Sequence, residues 1–274
     1  MVAGSFSFAV MAWLAHVAGA YCSWQLAALA RCLLVFLFVG VLALSTRTRL
    51  VFLTPARLWL RSLAGSLSLV GCFYALTRLP ISTVLTLTNM FPVWVALLAW
   101  PILRVFPSGR VWLAVVSGVL GVLLIQQPGE ARSWTAFLIA LSCSLSTAVA
   151  MIGLHRLKDV DSLAVVVHFS GVATIFGLSS FFVFGWSPGV MACWEWPLNA
   201  LLLGIGLTAS LGQIFLTKAF SAGDPSRVSV VGLSQVVFAF IFDLLENHAY
   251  ANSQLLGMFL IIAPVSLIMR RQSS

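Results

Sequence analysis

Runs of about twenty apolar residues recur along the whole of this chain, and that regularity fixes the solvent in which it can fold. Between Trp24 and Leu44 only Arg31 is charged, and between Trp134 and Leu154 nothing is. A helix crossing hydrocarbon needs about 20 mostly apolar residues. Charged residues make up 8% of the 274-residue chain, against about 25% in soluble domains. A soluble globule is excluded, and the chain reads as an all-α integral membrane protein. The formal net charge of +8 raises nucleic acid as a partner, but the placement of the basic residues argues against it.

The hydropathy pattern gives ten spans, at about residues 4–20, 24–44, 61–78, 80–103, 111–125, 134–154, 163–184, 198–220, 226–245 and 254–269. Ala18-Gly19-Ala20 resembles a signal-peptide cleavage site. No Lys or Arg precedes that run, however, and Trp13 and His16 interrupt it, so it is read as the first span. The Trp-rich link 186–196 suits a membrane interface. With the N-terminus cytoplasmic, twelve Lys and Arg fall on the inner side, including the run from Arg47 to Arg61 and the Arg270-Arg271 pair. Only Arg31, Arg78 and Arg132 remain in the outer half. That bias supports ten spans with both termini cytoplasmic, in a plasma (bacterial inner) membrane. It also accounts for the basic balance without nucleic acid.

The fourth span carries Thr86, Thr88, Asn89 and Pro92 at mid-depth. Proline has no amide hydrogen, so the carbonyl of Thr88 loses its usual helical donor. A freed carbonyl beside a carboxamide is costly in lipid and is expected to face other helices or a wet cavity. The polar break around 126–130 divides the chain near its middle, giving units 1–126 and 133–271 of five spans each. At one constant offset Ala75 matches Ala219, Thr77 matches Ser221, Ser82 matches Ser226 and Val93 matches Val237. An odd number of spans turns the second copy upside down. The expected architecture is therefore ten transmembrane helices in two inverted five-helix repeats, whose solute sites lie near the midplane.

The segment RSLAGSLSLVGCFYALTRLPISTVLTLTNMFPVWVALLAW resembles the first repeat of EamA-type transporters of the drug/metabolite transporter superfamily. LGQIFLTKAFSAGDPSRVSVVGLSQVVFAFIFDLL with QLLGMFLIIAPVSL is similar to the second. SFSFAVMAWLAH and LARCLLVFLF resemble the family's opening hairpin. The resemblance implies a central cavity and alternating-access transport of small metabolites, often outward. Where the family commonly ends its fourth helix with Gly-Glu, this chain has Arg104-Val105, and the second repeat has Asn247-His248.

Asn89, Gln213, Ser234 and Gln235 lie at comparable depth and, with Pro92, Tyr74, Trp94 and Phe238, compose the expected solute path: an aromatic cavity with a few orienting polar groups. Each of these alone is more often a helix–helix contact. Arg31, within a span, either anchors an anionic group or braces neighbouring carbonyls. His16 and His168 are candidates for a coupling proton, with interhelical hydrogen bonding as the plainer reading. Asp243 and Glu246 are either proton carriers or a hydrated interfacial pair. Asp159-x-Asp161 could hold a divalent ion but reads more simply as a solvated loop. The five cysteines lack CxxC spacing, which gives no metal or redox motif. Cys22 and Cys193 both fall near the outer face, so a disulfide between them and two lone thiols both stay open. There is no GxxxxGK[ST], HExxH or GxSxG. The reading is a cofactor-free secondary transporter, an exporter of an amino acid or related metabolite, with a homodimer left open. An importer of a nucleotide-like or cofactor-like metabolite, a membrane scaffold and an intramembrane enzyme are the alternatives.

Overall fold

A computed structural model describes residues 1–53, 55–76, 78–79, 84, 87–104, 106–126, 133–184, 196–245 and 252–270, among which helix is the only regular secondary structure. Eleven helices are described in full: α1 Val2–Ala18, α2 Trp24–Ser45, α3 Ala56–Leu76, α4 Phe91–Leu103, α5 Gly109–Gln126, α6 Trp134–His155, α7 Ser162–Phe184, α8 Trp196–Ala222, α9 Pro225–Gly232, α10 Ser234–Leu245 and α11 Asn252–Arg270. Helices α2, α6, α7 and α8 are long and apolar enough to cross a membrane by themselves, and shorter apolar helices accompany them. Ten spans fit this set when α9 and α10 count as one interrupted span. Their outer faces carry large apolar side chains, Leu44, Trp134 and Phe182 among them, a surface that only lipid tolerates on this scale.

Local sequence explains the helix ends. Ser23 and Ser133 accept the amide hydrogens of Leu26 and Ala136, which caps α2 and α6. Asp224 caps α9 through the Arg227 amide at 2.9 Å, with Pro225 in the first turn, where its missing N–H is harmless. Two further breaks fall inside expected spans. The fourth is interrupted at the Asn89-Met90 turn, and α4 restarts at Phe91 with Pro92 in its first turn. Pro92 therefore begins a helix where the sequence suggested that it disturbs one. The ninth is interrupted at Leu233. Tight bonds mark both places: Val93 donates to Met90 O and Val236 to Leu233 O, each at 3.0 Å. They lie within one residue of the offset that matches Ala75 with Ala219.

The most extensive packing runs between the two halves. Helix α3 packs on α6 as α1 packs on α8; α3 on α7 as α2 on α8; α4 on α6 as α1 on α10. Helix α2 packs on α7, α5 on α11 and α4 on α9. Exchanging every helix for the one five spans away leaves this set unchanged. Glycines allow the closest approaches. A Cβ on Gly121 of α5 would lie 2.6 Å from the Gly257 carbonyl of α11, and one on Gly212 of α8 would meet the Phe8 ring of α1 at 2.8 Å. In a bilayer such close backbone contact, rather than hydrophobicity, drives helix association. Buried hydroxyls add ties: Ser5 Oγ donates to Gly232 O at 3.3 Å and Ser117 Oγ to Leu260 O at 2.8 Å.

Candidate functional site

Where α2, α3, α7 and α8 meet, a narrow cleft of about 10 Å³, room for about one water molecule, is lined by Arg31, Val35, Leu69, Phe169, Ala173 and Gln213, among others. Arg31 is half-buried, seven residues beyond the Trp24 start of α2. Gln213 is nearly buried, and its Oε1 accepts no hydrogen bond. A guanidinium offers donors only, and a free amide oxygen accepts, so together they can orient a polar solute against apolar walls. One turn along α8, Thr217 Oγ1 is likewise buried without a partner, as are Ser66 Oγ on α3 and Ser226 Oγ on α9. Buried polar atoms are overwhelmingly paired in folded proteins.

Of the solute path expected from sequence, the cleft contains Gln213 alone, beside Arg31, which the sequence gives as an anion anchor or a brace. Trp94 donates through Nε1 to Ser144 Oγ at 2.9 Å, joining α4 to α6. Tyr74 lies under the Arg78 guanidinium, 4.7 Å from ring centre to carbon. Phe238 meets Phe6 edge-on at 5.4 Å, joining α10 to α1. Ser234 Oγ returns a bond to Val231 O at 2.7 Å. Asn89 is half-buried at the turn before α4, Pro92 is buried just after it, and Gln235 is half-buried in the first turn of α10. Asp243 belongs to α10, but its side chain, like all of Glu246 and Cys193, lies outside the described residues. Cys22 is a buried free thiol. Asp161 Oδ1 accepts the Leu163 amide at 2.7 Å, at the start of α7, and no group of three or more potential metal ligands occurs among the described residues.

The two histidines separate. His16 is exposed near the end of α1. His168 is buried in α7, with Nε2 3.1 Å from Phe52 O and Nδ1 2.8 Å from Ser62 Oγ. A carbonyl only accepts, so Nε2 carries the hydrogen, and in the neutral ring Nδ1 accepts from Ser62. Trp59 packs edge-on against the ring at 4.7 Å. His168 thus ties α7 to α3 and to the chain before it, which is the interhelical role.

Of the basic run from Arg47 to Arg61, Arg47, Arg49 and Arg57 are exposed and Arg61 is not. Arg61, grouped in sequence with the basic loop, belongs to α3 and is 1% exposed.

No family model matches the chain. It is 32% identical over 186 residues to the pseudopaline exporter CntI of Pseudomonas aeruginosa strain UCBPP-PA14, an alignment covering 66% of this chain and 63% of that protein. It is 24% identical over 218 residues to an uncharacterized transporter of Helicobacter pylori strain J99, covering 77% and 72%. Solute carrier family 35 member G1 of Homo sapiens is 26% identical over 204 residues, covering 68% of this chain and 54% of that one. The relatives are named as transporters or a solute carrier, one of them an exporter. With four helices long and apolar enough to cross a membrane, the chain is a multi-pass membrane protein. The alignment to CntI spans less than two thirds of that exporter's length. A protein crystal structure matches with a TM-score of 0.81 at 14% identity, over 97% of this chain and 98% of that one. At that identity the match concerns the fold alone.

Proposed function

We propose that the chain is a member of the drug/metabolite transporter superfamily and a secondary transporter, exporting a small metabolite such as an amino acid or related compound by alternating access between two inverted repeats. The carrying observation is the helix pairing that survives exchange of the halves, with a broken helix at matching places in each. Five spans per half make the second copy enter the bilayer from the opposite side, and such repeats hold solute at their interface near the midplane. The paired breaks support this, since interrupted helices offer backbone groups to a solute only where they line a cavity. The cleft at Arg31 and Gln213 lies between helices of both halves, α2 and α3 on one side and α7 and α8 on the other. Rocking one half against the other would open that cleft to each side in turn. Outward transport is favoured by the exporter among the relatives. The charge bias supports an inner membrane with both termini cytoplasmic. If a proton is coupled, His168 is the buried histidine among the described residues, and its two bonds would have to exchange during the cycle.

The test begins by comparing metabolites in cells with and without the protein. Those that change are then offered to inside-out vesicles bearing an imposed gradient. Gradient-dependent accumulation that fails in Gln213→Leu is the expected result. A folded, monodisperse protein that moves none of these metabolites would overturn the reading.

A further inference from the structure

The most deeply buried charge among the described residues lies beside the cleft rather than in it. Arg61, the sixth residue of α3, has no hydrogen-bond acceptor at Nε or Nη1. Its guanidinium carbon instead sits 3.8 Å from the centre of the Phe169 ring. Of the carboxylates whose side chains are described, Asp159 and Asp161 are exposed and Asp224 caps α9, so none serves as a counterion. Taking a charge out of water without pairing it costs several kcal/mol, and a cation serving only to brace the bundle would bond the carbonyls around it.

The surroundings are shaped to hold this arrangement. A Cβ on Gly65 would lie 2.5 Å from Arg61 Nη1 and 2.8 Å from Phe169 Cε2. One on Gly153 of α6 would lie 3.3 Å from Arg61 Cβ. Phe169 serves two places at once: it lines the Arg31–Gln213 cleft and it covers Arg61. Leu69, at the cleft, is two turns along α3 from Arg61, about 12 Å. A solute leaving the cleft toward the start of α3 therefore meets a second cation behind a single aromatic ring.

We propose that Arg61 binds an oxyanion, a carboxylate or phosphate group, once Phe169 moves aside, and that the transported solute is accordingly anionic. A guanidinium fork matches the two oxygens of either group and can accept nothing itself. The same chemistry has two sources, a dissolved solute or the head group of an anionic lipid. The assignment deepens the transport reading and rests on it only for calling the oxyanion cargo. Binding at equilibrium is measured without any transport, so the two can fail separately.

The experiment is thermal unfolding of the full chain, purified in detergent, with sodium succinate or inorganic phosphate against sodium chloride at matched ionic strength. A parallel set uses nanodiscs of phosphatidylcholine with and without phosphatidylglycerol. Succinate or phosphate should raise Tm by several degrees in the unaltered protein. Arg61→Gln should abolish the rise and Arg61→Lys should keep part of it. Phe169→Leu, by uncovering the guanidinium, should lower the anion concentration that gives half the effect. No anion-specific rise, or one that persists in Arg61→Gln, overturns the assignment. If Arg61→Gln does not fold, an unchanged response in both Arg61→Lys and Phe169→Leu overturns it equally. A shift with phosphatidylglycerol alone would keep the oxyanion site and overturn its assignment to the cargo.

Discussion

Gly121→Ala adds one methyl group where α5 crosses α11, and the structure sets its cost. The new Cβ would stand 2.6 Å from the Gly257 carbonyl and 2.7 Å from Ile261 Cγ1. Ordinary contact begins at 3.4 Å, so the backbones must part by about 0.8 Å. The carbonyl is main chain, and no rotamer change relieves it. Overpacking of this kind costs about 1–3 kcal/mol, while replacing a mid-helix glycine by alanine returns about 0.5–1 kcal/mol. The net expectation is a loss of about 0–2.5 kcal/mol, and a gap from a clash-free control of about 1–3 kcal/mol. Gly40→Ala in α2 is the matched control, because nothing lies within 4 Å of its Cβ and only the gain applies. Both are read by titrating the purified protein with sodium dodecyl sulfate and following tryptophan fluorescence. The midpoint should fall for Gly121→Ala and hold or rise for Gly40→Ala. Equal midpoints would refute the close approach of α5 and α11.

Trp94→Phe removes the bond to Ser144 and should cost about 1 kcal/mol; adding Ser144→Ala should cost less than the two single losses together, as measured by the same titration. Gln213→Leu removes a buried oxygen that accepts nothing, so it should hold or raise the unfolding midpoint while vesicle transport falls at least tenfold, about 1.4 kcal/mol or more. A Gln213→Leu protein that transports normally would remove the cleft from the path. Burial pushes the Cys22 thiol up, an effect that the bond to the Ala27 backbone only partly offsets. Its thiolate is therefore scarce at neutral pH. Maleimide labelling of a variant retaining only Cys22 should be slow at pH 7 and rise continuously to beyond the ordinary thiol pKa of about 8.5.

Element positions were legible because hydropathy and capping act locally. The second span, read at about 24–44, is α2 Trp24–Ser45, and the sixth, at about 134–154, is α6 Trp134–His155. Serine caps mark both starts. The interruption at Leu233 was not legible, since no proline or polar run announces it. Pro92 was read as a disturbance inside a helix because sequence does not say whether a proline falls in a middle turn or a first one. The proposed site was harder still. A membrane helix is apolar on every side, so hydropathy does not distinguish the face that meets protein from the face that meets lipid. Depth alone grouped Trp94 and Phe238 with Gln213, yet they turn to Ser144 and Phe6. Arg61 was counted as a loop cation because charge counting ignores how far a helix extends into its neighbours.

The helix pairings carry a consequence for biogenesis. Helices α1, α2 and α3 find their chief neighbours in α6, α7, α8 and α10, which are synthesised later. The opening segments must therefore wait in the bilayer, with Arg61 and the face of Gly65 unshielded, until the ribosome delivers their mates. Nascent chains stalled before residue 133 should be conspicuous targets for membrane quality-control proteases, and co-expressing the two pieces as separate polypeptides should rescue them.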